Sequence, residues 1–161
     1  MKAIKWLNQY FEETVVVILL MAMTVIMGAQ IASRYLLNYS LSWTEELTRY
    51  LFVWSGFISI SYGIQHGIAI RIEQFTMNLQ PRLKAVIILI TYVLELAFFV
   101  YMIPYAWKYF MKAYTGGQVS VACELPMWLI QISPFIGFSL AVVRLLQGSW
   151  REITKIRGVE L

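Results

Sequence analysis

TVVVILLMAMTVIMGAQIAS, residues 14–33, is a run of 20 residues without a single Asp, Glu, Lys or Arg. A helix of about 20 residues crosses the hydrocarbon core of a bilayer. Three further runs of the same kind follow along the chain. Residues 50–70 and 125–143 carry no charge, and residues 85–107 carry one charged side chain, Glu95. Four runs of this length predict four transmembrane helices.

The composition of the whole chain agrees with this prediction. Of 161 residues, 60% are hydrophobic and 14% are charged, and the mean hydropathy is +0.65, whereas soluble domains carry about 25% charged residues. A soluble helical bundle would need polar outer faces at helical spacing, and the four runs have none. We therefore predict an all-α integral membrane protein with a single membrane domain, residues 1–161. The predicted transmembrane helices cover about residues 14–36, 47–66, 84–108 and 125–147.

The first run follows Lys2 and Lys5, as the apolar core of a secretory signal peptide would. It is longer than the ~7–15 residues of such a core, and no small-x-small cleavage site closes it. We therefore expect a retained helix.

The distribution of Lys and Arg predicts the orientation of the helices. With the N-terminus in the cytoplasm, nine basic residues lie on the inner side of the membrane and four lie on the outer side. Because cytoplasmic loops are enriched in Lys and Arg, we predict that both termini are cytoplasmic. The same pattern accounts for the net charge of +4 without a nucleic-acid partner. The outer basic residues are Arg34, Arg49, Lys108 and Lys112.

Residues 67–80, between the second and third runs, show helical periodicity. Ile68, Ile72, Phe75 and Leu79 recur at spacings of four, three and four residues. This pattern predicts a short amphipathic helix on the cytoplasmic surface of the membrane, in contact with lipid.

Three prolines mark helix starts and bends. Pro81 precedes the third run, where its missing N–H costs nothing. Pro104 and Pro134 lie inside the third and fourth runs, where each removes one backbone hydrogen bond. We expect each of these two prolines to bend its helix, with a functional hinge as the alternative.

The sequence contains little of the chemistry that enzymes use. The loops between the runs are too short for a soluble catalytic domain, and no Gly-rich phosphate loop follows a strand. Cys123 is the only cysteine and His66 the only histidine, which disfavours a thiolate metal cluster and a pair of haem ligands. We therefore expect no enzyme activity, no metal site and no cofactor.

SWTEELTRYLFVW, residues 42–54, is the densest group of charged and aromatic side chains in the sequence. Ser42, followed three residues later by Glu45, predicts a capping box at the start of the second helix. Glu45 and Glu46 then lie in the first turn, where the helix dipole favours acids. Arg49 stands four residues after Glu45 and three after Glu46, so we expect ion pairs on the helix surface.

Two acids and one arginine leave one carboxylate without a cation, and Arg34, at the end of the first run, could pair with it. The cluster is then a structural clamp or a surface for a partner, and the two roles are compatible. Leu47, Tyr50, Leu51 and Trp54 form one helical face suited to packing in the membrane. The residues predicted to form a partner interface are Arg34, Trp43, Glu45, Glu46, Arg49, Tyr50 and Trp54.

At this cluster the chain resembles a known family, the small membrane subunits of TRAP transporters (tripartite ATP-independent periplasmic transporters, DctQ family). The resemblance covers nearly the whole chain, and its most specific element is the Trp-x-Glu-Glu-Leu sequence at residues 43–47. The further matching positions are Arg34-Tyr35, Leu51 to Trp54, His66, Ile68 to Phe75, Leu125 to Trp128 and Arg144.

The resemblance implies a function that the composition does not. It implies an accessory or scaffold subunit of a Na⁺-coupled secondary transporter in the bacterial inner membrane. The implied partners are a large multi-helix membrane subunit, which carries substrate and Na⁺, and a periplasmic binding protein that delivers the substrate. The implied substrate is an organic acid anion such as a C4-dicarboxylate or sialic acid.

Two other interpretations stay open from the residues alone. Glu95 lies about midway through the third run, and a mid-membrane acid can carry protons, as in a small self-sufficient exporter. A membrane anchor of a redox enzyme is the other interpretation, although its haem would need more than one histidine. If the chain is a scaffold, we expect Glu95 to be protonated or hydrogen-bonded within the protein.

Overall fold

A computed structural model describes residues 2–36, 38–39, 41–66 and 81–156. These residues form five α-helices, which confirms the predicted all-α class. The amphipathic helix predicted for residues 67–80 lies outside the described residues. The helices are α1 (Lys2–Leu36), α2 (Ser42–Gln65), α3 (Pro81–Gly116), α4 (Trp128–Gln131) and α5 (Ser133–Ile156).

Three helical segments of the described chain are long and apolar enough to cross a membrane. α2 is not among them, although its 24 residues are sufficient in length, because charged residues at its start, including Arg49, and its serines and glycines lower its mean hydropathy. Length and composition thus support three of the four predicted transmembrane helices. The three segments are Tyr10–Leu36, Val86–Gly116 and Trp128–Arg151.

The four long helices pack in the order α1, α2, α5, α3. α2 therefore lies between α1 and α5, and α5 lies between α2 and α3. This central position explains the composition of α2, because Ser55 and Ser61 are buried. Both hydroxyls have partners: Ser55 donates to the Phe52 carbonyl (2.8 Å), and Ser61 donates to Glu12 Oε1 (3.1 Å).

α2 and α5 approach each other most closely at Gly137. A β-carbon at this position would lie 2.7 Å from Cβ of Phe57 and 2.8 Å from its carbonyl oxygen, so only glycine fits. The neighbouring Phe138 ring packs edge-on against Phe57, with ring centroids 5.6 Å apart, and it also contacts Phe99 of α3. Helices α2, α5 and α3 are thus joined by one aromatic layer.

The fourth predicted span is divided near Pro134. α4 ends at Gln131, and α5 begins at Ser133, directly before the proline. Pro134 has no N–H to donate to the carbonyl of Ile130. The hydroxyl of Ser133 donates to that carbonyl instead, at 2.7 Å. The side chain of Ser133 therefore satisfies the backbone acceptor that the proline leaves without its usual donor.

α3 is a continuous helix through Pro104 and ends at Gly116, further along the chain than the predicted limit near residue 108. Pro104 has no N–H for the carbonyl of Val100. Val100 is an exposed residue, so this acceptor belongs to an exposed part of α3.

The outward faces of α1 and α3 are apolar and exposed. Exposed apolar surface of this extent is typical of contact with lipid or with a membrane partner. The large exposed side chains include Ile18, Met21 and Val25 on α1, and Leu94, Phe98, Tyr101 and Tyr105 on α3.

Candidate functional site

Glu46 organises the end of α2 that is predicted to face the periplasm, which we call the outer end. Its Oε1 accepts a hydrogen bond from the Tyr50 hydroxyl, and its Oε2 accepts the backbone N–H groups of Ala122 (2.9 Å) and Cys123 (3.0 Å). The Tyr50 hydroxyl, followed by Ser120 and the two N–H groups, lowers the pKa of Glu46 to about 2. The carboxylate therefore holds the loop between α3 and α4 against the start of α2.

The loop held by Glu46 folds back on itself. The N–H of Ser120 donates to the Leu125 carbonyl (2.9 Å), and the N–H of Met127 donates to the Gln118 carbonyl (2.9 Å). The side chain of Val121, at the tip of this loop, is 99% exposed. Glu46 thus fixes a small projection at the outer end of the subunit.

Cys123 and Trp43 form a second link between this loop and α2. The Cys123 thiol donates to the Trp43 carbonyl, with Sγ 3.2 Å from the oxygen. Burial raises the pKa of the thiol, so it is protonated at neutral pH. The Trp43 side chain is exposed and is available to a partner.

Tyr50 and Trp54 lie on the α2 face that the sequence predicts for helix packing, and this face contacts the chain's own C-terminal part. Tyr50 is buried, and its hydroxyl also lies 3.7 Å from Sδ of Met127. The indole N–H of Trp54 donates to the Leu129 carbonyl in α4 (3.1 Å). The packing face of α2 thus joins parts of one chain, and the predicted interface residues with exposed side chains are Arg34, Trp43, Glu45 and Arg49.

The predicted capping box is wrong. Leu41 is the N-cap of α2 and makes no side-chain cap bond, so Ser42 is already helical. Thr44 is buried, and its hydroxyl donates to the Leu41 carbonyl (2.5 Å). Glu45 accepts a hydrogen bond from Nε2 of Gln30 in α1 (2.8 Å). The carboxylate that a capping box would use is thus hydrogen-bonded to Gln30 of the neighbouring helix.

The expected ion pairs of Arg49 and Arg34 do not form. Within the described ranges, no salt bridge links Arg49 or Arg34 to Glu45 or Glu46. Gln30 donates to one oxygen of Glu45, and two loop N–H groups donate to one oxygen of Glu46. An exposed ion pair adds only about 0–1 kcal/mol, which is too little to hold either arginine against these carboxylates. Both arginines are exposed.

A second polar cluster lies near the opposite ends of the helices, and sequence reasoning missed it. Glu12 accepts two hydrogen bonds from Arg144, from Nε to Oε1 (2.6 Å) and from Nη2 to Oε2 (2.7 Å). Ser61 donates to the same carboxylate, and Arg144 Nη1 donates to Gln147 Oε1 (2.9 Å). We call these residues, Glu12, Ser61, Arg144 and Gln147, the inner clasp.

The inner clasp joins α1, α2 and α5 through side chains that are almost fully buried. Glu12 is 1% exposed, Ser61 0% and Arg144 7%. Residues 12 and 144 are 132 positions apart, so no local pattern relates them. One signal was available: Arg144 sits in an apolar stretch, and such a cation in a membrane helix requires a partner at its own depth.

Glu95 is half-buried on α3. Among the residues that the structure describes, none donates a hydrogen bond to it or forms an ion pair with it. The expected hydrogen bond within the protein is therefore not found in this part of the chain.

The polar groups of this fold join helices to one another. The described side chains include no group of three or more His, Cys, Asp or Glu placed to hold a metal ion. The two main clusters are an ion pair that links three helices and a carboxylate that fixes a loop. This arrangement, on an all-helical chain with apolar outer faces, is that of a helical membrane protein whose described polar groups link its own helices and loops.

Comparison with known proteins identifies the family of this chain. The family described as "Tripartite ATP-independent periplasmic transporters, DctQ component" matches residues 23–155. The chain belongs to this family of small TRAP transporter permease subunits, which are not enzymes. Family membership therefore argues against the two other interpretations, a self-sufficient exporter and a membrane anchor of a redox enzyme.

Three curated relatives show how widely the resemblance extends. The isethionate TRAP transporter permease protein DctMQ of Oleidesulfovibrio alaskensis is 26% identical over 88% of this chain. The C4-dicarboxylate small permease protein DctQ of Vibrio cholerae is 26% identical over 89% of the chain, and the ectoine small permease protein TeaB of Halomonas elongata is 27% identical over 85%. The chain spans 23% of the length of the first relative, 71% of the second and 70% of the third.

Proposed function

We propose that this chain is the scaffold subunit of a Na⁺-coupled, binding-protein-dependent TRAP transporter in the bacterial inner membrane. Its proposed partners are a large multi-helix membrane subunit and a periplasmic substrate-binding protein. The proposed substrate is an organic acid anion. The names of the isethionate and C4-dicarboxylate relatives support that class, of which sialic acid is another member.

The inner clasp is the observation that carries the scaffold role. A scaffold has to keep its helices in place while another part of the transporter moves. A bidentate Arg–carboxylate pair fixes the relative orientation of its two side chains, and here it joins the first helix to the last. The close contact of Gly137 with Phe57 restrains α2 against α5 in the same way.

The charges of the described core also favour a scaffold over a substrate path. Of the buried residues in the described ranges, Glu12 and Arg144 carry charge, and they neutralise each other. An anion crossing the membrane through this subunit would need a positive group that is not already paired.

We further propose that all four long helices cross the membrane, with both termini in the cytoplasm. α2 has 24 residues, which corresponds to a length of about 36 Å and exceeds the ~30 Å of a bilayer core. In a Cys123→Ser background, cysteines introduced at Ser40 and Gly117 should react with a membrane-impermeant thiol reagent in intact cells. A cysteine at Lys155 should not react, and labelling there would overturn the orientation.

The scaffold role is tested by cross-linking the helices and measuring uptake. Two double-cysteine variants of the Cys123→Ser chain join packed helices: Phe57 with Phe138 across α2 and α5, and Tyr92 with Gly148 across α3 and α5. Each is treated with a short bifunctional thiol reagent in membranes that contain the other two subunits. The matched control is the same variant treated with a monofunctional reagent.

Uptake of a radiolabelled C4-dicarboxylate should be equal before and after cross-linking. Loss of uptake in the cross-linked sample alone would show that these helices move during transport, and the scaffold role would then be wrong.

A further inference from the structure

We propose that one flank of α3 docks the large membrane subunit, and that Glu95 accepts a hydrogen bond from a helix of that subunit or forms an ion pair with a cationic side chain of that helix. The inference rests on the proposed function, because it assigns the surface on which that partner binds. The flank consists of Leu94, Phe98, Tyr101 and Tyr105, which we call the α3 seam.

The α3 seam has the spacing of a helix-packing stripe. Its residues recur at intervals of four, three and four, the repeat that keeps side chains facing a partner helix in left-handed packing. All four are large, and each is more than half exposed in the isolated subunit. α5, which packs against α3, leaves this stripe uncovered.

Glu95 lies at the border between the α3 seam and the packed core. One turn before it, the Tyr92 ring packs beside Gly148 of α5, and one turn after it, Phe99 contacts Phe138 of α5. Phe98, on the adjacent side of the helix, belongs to the seam. The half-buried carboxylate of Glu95 thus sits where a helix docked on the seam would reach it.

The described residues of this chain provide no hydrogen-bond donor or cation to Glu95. Glu95 is ten residues beyond Ala85, the start of the apolar run of residues 85–107, which places it about 15 Å into that run and near the middle of a ~30 Å bilayer core. Lipid chains donate no hydrogen bonds, so polar groups at this depth find partners in protein. Charge complementarity therefore points to a partner helix that carries a donor or a cation at mid-membrane depth.

The seam itself carries further hydrogen-bonding capacity. The hydroxyl groups of Tyr101 and Tyr105 are 3.0 Å apart, and one donates to the other. The second hydroxyl hydrogen is left for an outside acceptor. The Val100 carbonyl next to the seam lacks its usual donor because of Pro104. A protein neighbour can use these groups, whereas the hydrocarbon chains of lipid cannot.

The outward face of α1 has the opposite character, and it provides the matched control surface. Its exposed side chains include Met21 and Val25, which are apolar. Thr24, the polar residue between them, donates its hydroxyl hydrogen to the Leu20 carbonyl of its own helix (2.9 Å). This face needs no outside partner and suits lipid.

Site-specific photo-cross-linking tests the assignment in membranes that contain the complete transporter. A benzophenone amino acid replaces Phe98 or Tyr101 on the seam, and Met21 or Val25 on α1. The seam positions should yield an adduct with an epitope-tagged large subunit, and the α1 positions should not. Adducts from α1 alone, or from neither face, would overturn the inference.

The role of Glu95 is tested by variants of that residue in the same membranes. Glu95→Leu should reduce the amount of this chain that co-purifies with the tagged large subunit by about fivefold, the order expected for one interhelical polar contact. Glu95→Gln keeps an oxygen acceptor and should stay within about twofold of the native chain. Thr24→Val on α1 is the control and should have no effect. Equal co-purification of Glu95→Leu and the native chain would exclude a partner contact at Glu95.

The experiments separate this inference from the proposed function. If the native chain neither co-purifies with the large subunit nor is required for uptake, the proposed function fails. If it does both, but adducts arise from α1 alone, only the α3 seam is wrong. Because the cross-linking variants retain Glu95, their result does not depend on whether Glu95→Leu folds.

Discussion

Replacement of Arg144 should strongly destabilise the packed helices, far more than replacement of an exposed arginine. In the native structure the guanidinium is 7% exposed and makes two hydrogen bonds to Glu12, which is 1% exposed. Arg144→Met fills a similar volume but leaves a buried carboxylate whose described partner is the Ser61 hydroxyl. Removing one member of a buried ion pair costs about 3–5 kcal/mol.

The other two variants of the inner clasp should cost less. Glu12→Gln keeps one oxygen that accepts from Arg144 but loses the second acceptor and the negative charge, so it should cost at least about 1.5–3 kcal/mol, the value of a hydrogen bond to a charged group. The double variant Glu12→Leu/Arg144→Met leaves no buried charge, and an apolar replacement of a buried pair is often close to neutral. It should therefore be more stable than Arg144→Met alone.

Thermal unfolding in detergent, followed by tryptophan fluorescence, measures these differences. At about 2–4 °C per kcal/mol, Arg144→Met should lower Tm by about 6–20 °C. Arg151→Met, an exposed arginine on the same helix, is the matched control. The reasoning is refuted if Arg144→Met unfolds at the temperature of the control, or if the double variant is no more stable than Arg144→Met alone.

Two further predictions concern the outer end of the subunit. Glu46→Gln should release the loop and increase several-fold the rate at which Cys123 reacts with a thiol reagent at neutral pH, whereas Glu124→Gln should not. The folded pKa of Glu46 is about 2, below its ordinary value of 4.5. The hydrogen bonds between Glu46 and the loop are therefore fully formed above about pH 4.5 and are lost as the pH falls toward 2. Amide exchange of the loop should increase over that range. Arg49→Ala should reduce uptake at matched membrane expression more than Lys108→Ala, since Arg49 is an exposed member of the predicted partner interface. Equal uptake would make this segment only a helix start.

The helices and the family could be predicted from the sequence because both depend on local patterns. Uncharged runs of about 20 residues indicate membrane helices wherever they occur, and the Trp-x-Glu-Glu-Leu element at residues 43–47 is contiguous. The division of the last span was also predictable in part, since Pro134 removes a backbone donor whatever surrounds it. The role of Ser133, which takes over the freed carbonyl, was not anticipated.

The partners of the acidic residues could not be predicted in the same way. Glu45 and Arg49 have the spacing of a helical ion pair, yet the hydrogen bond that Glu45 accepts comes from Gln30 of another helix. Glu46 is occupied by N–H groups 76 and 77 residues further along the chain. A helix-surface ion pair contributes only about 0.2–0.5 kcal/mol, so its spacing alone does not decide which partner a carboxylate takes.

The sequence by itself determined that the chain is helical, apolar and a TRAP small permease subunit, because hydrophobic length and a short motif are properties of neighbouring residues. Only the tertiary structure decided which polar groups meet. It paired Glu12 with Arg144 across 132 residues, turned Glu46 toward a loop, and left Glu95 without a partner among the described residues. Burial makes such pairing necessary, since an acid inside a membrane protein needs a donor, but the packing order of the helices decides which donor is within reach.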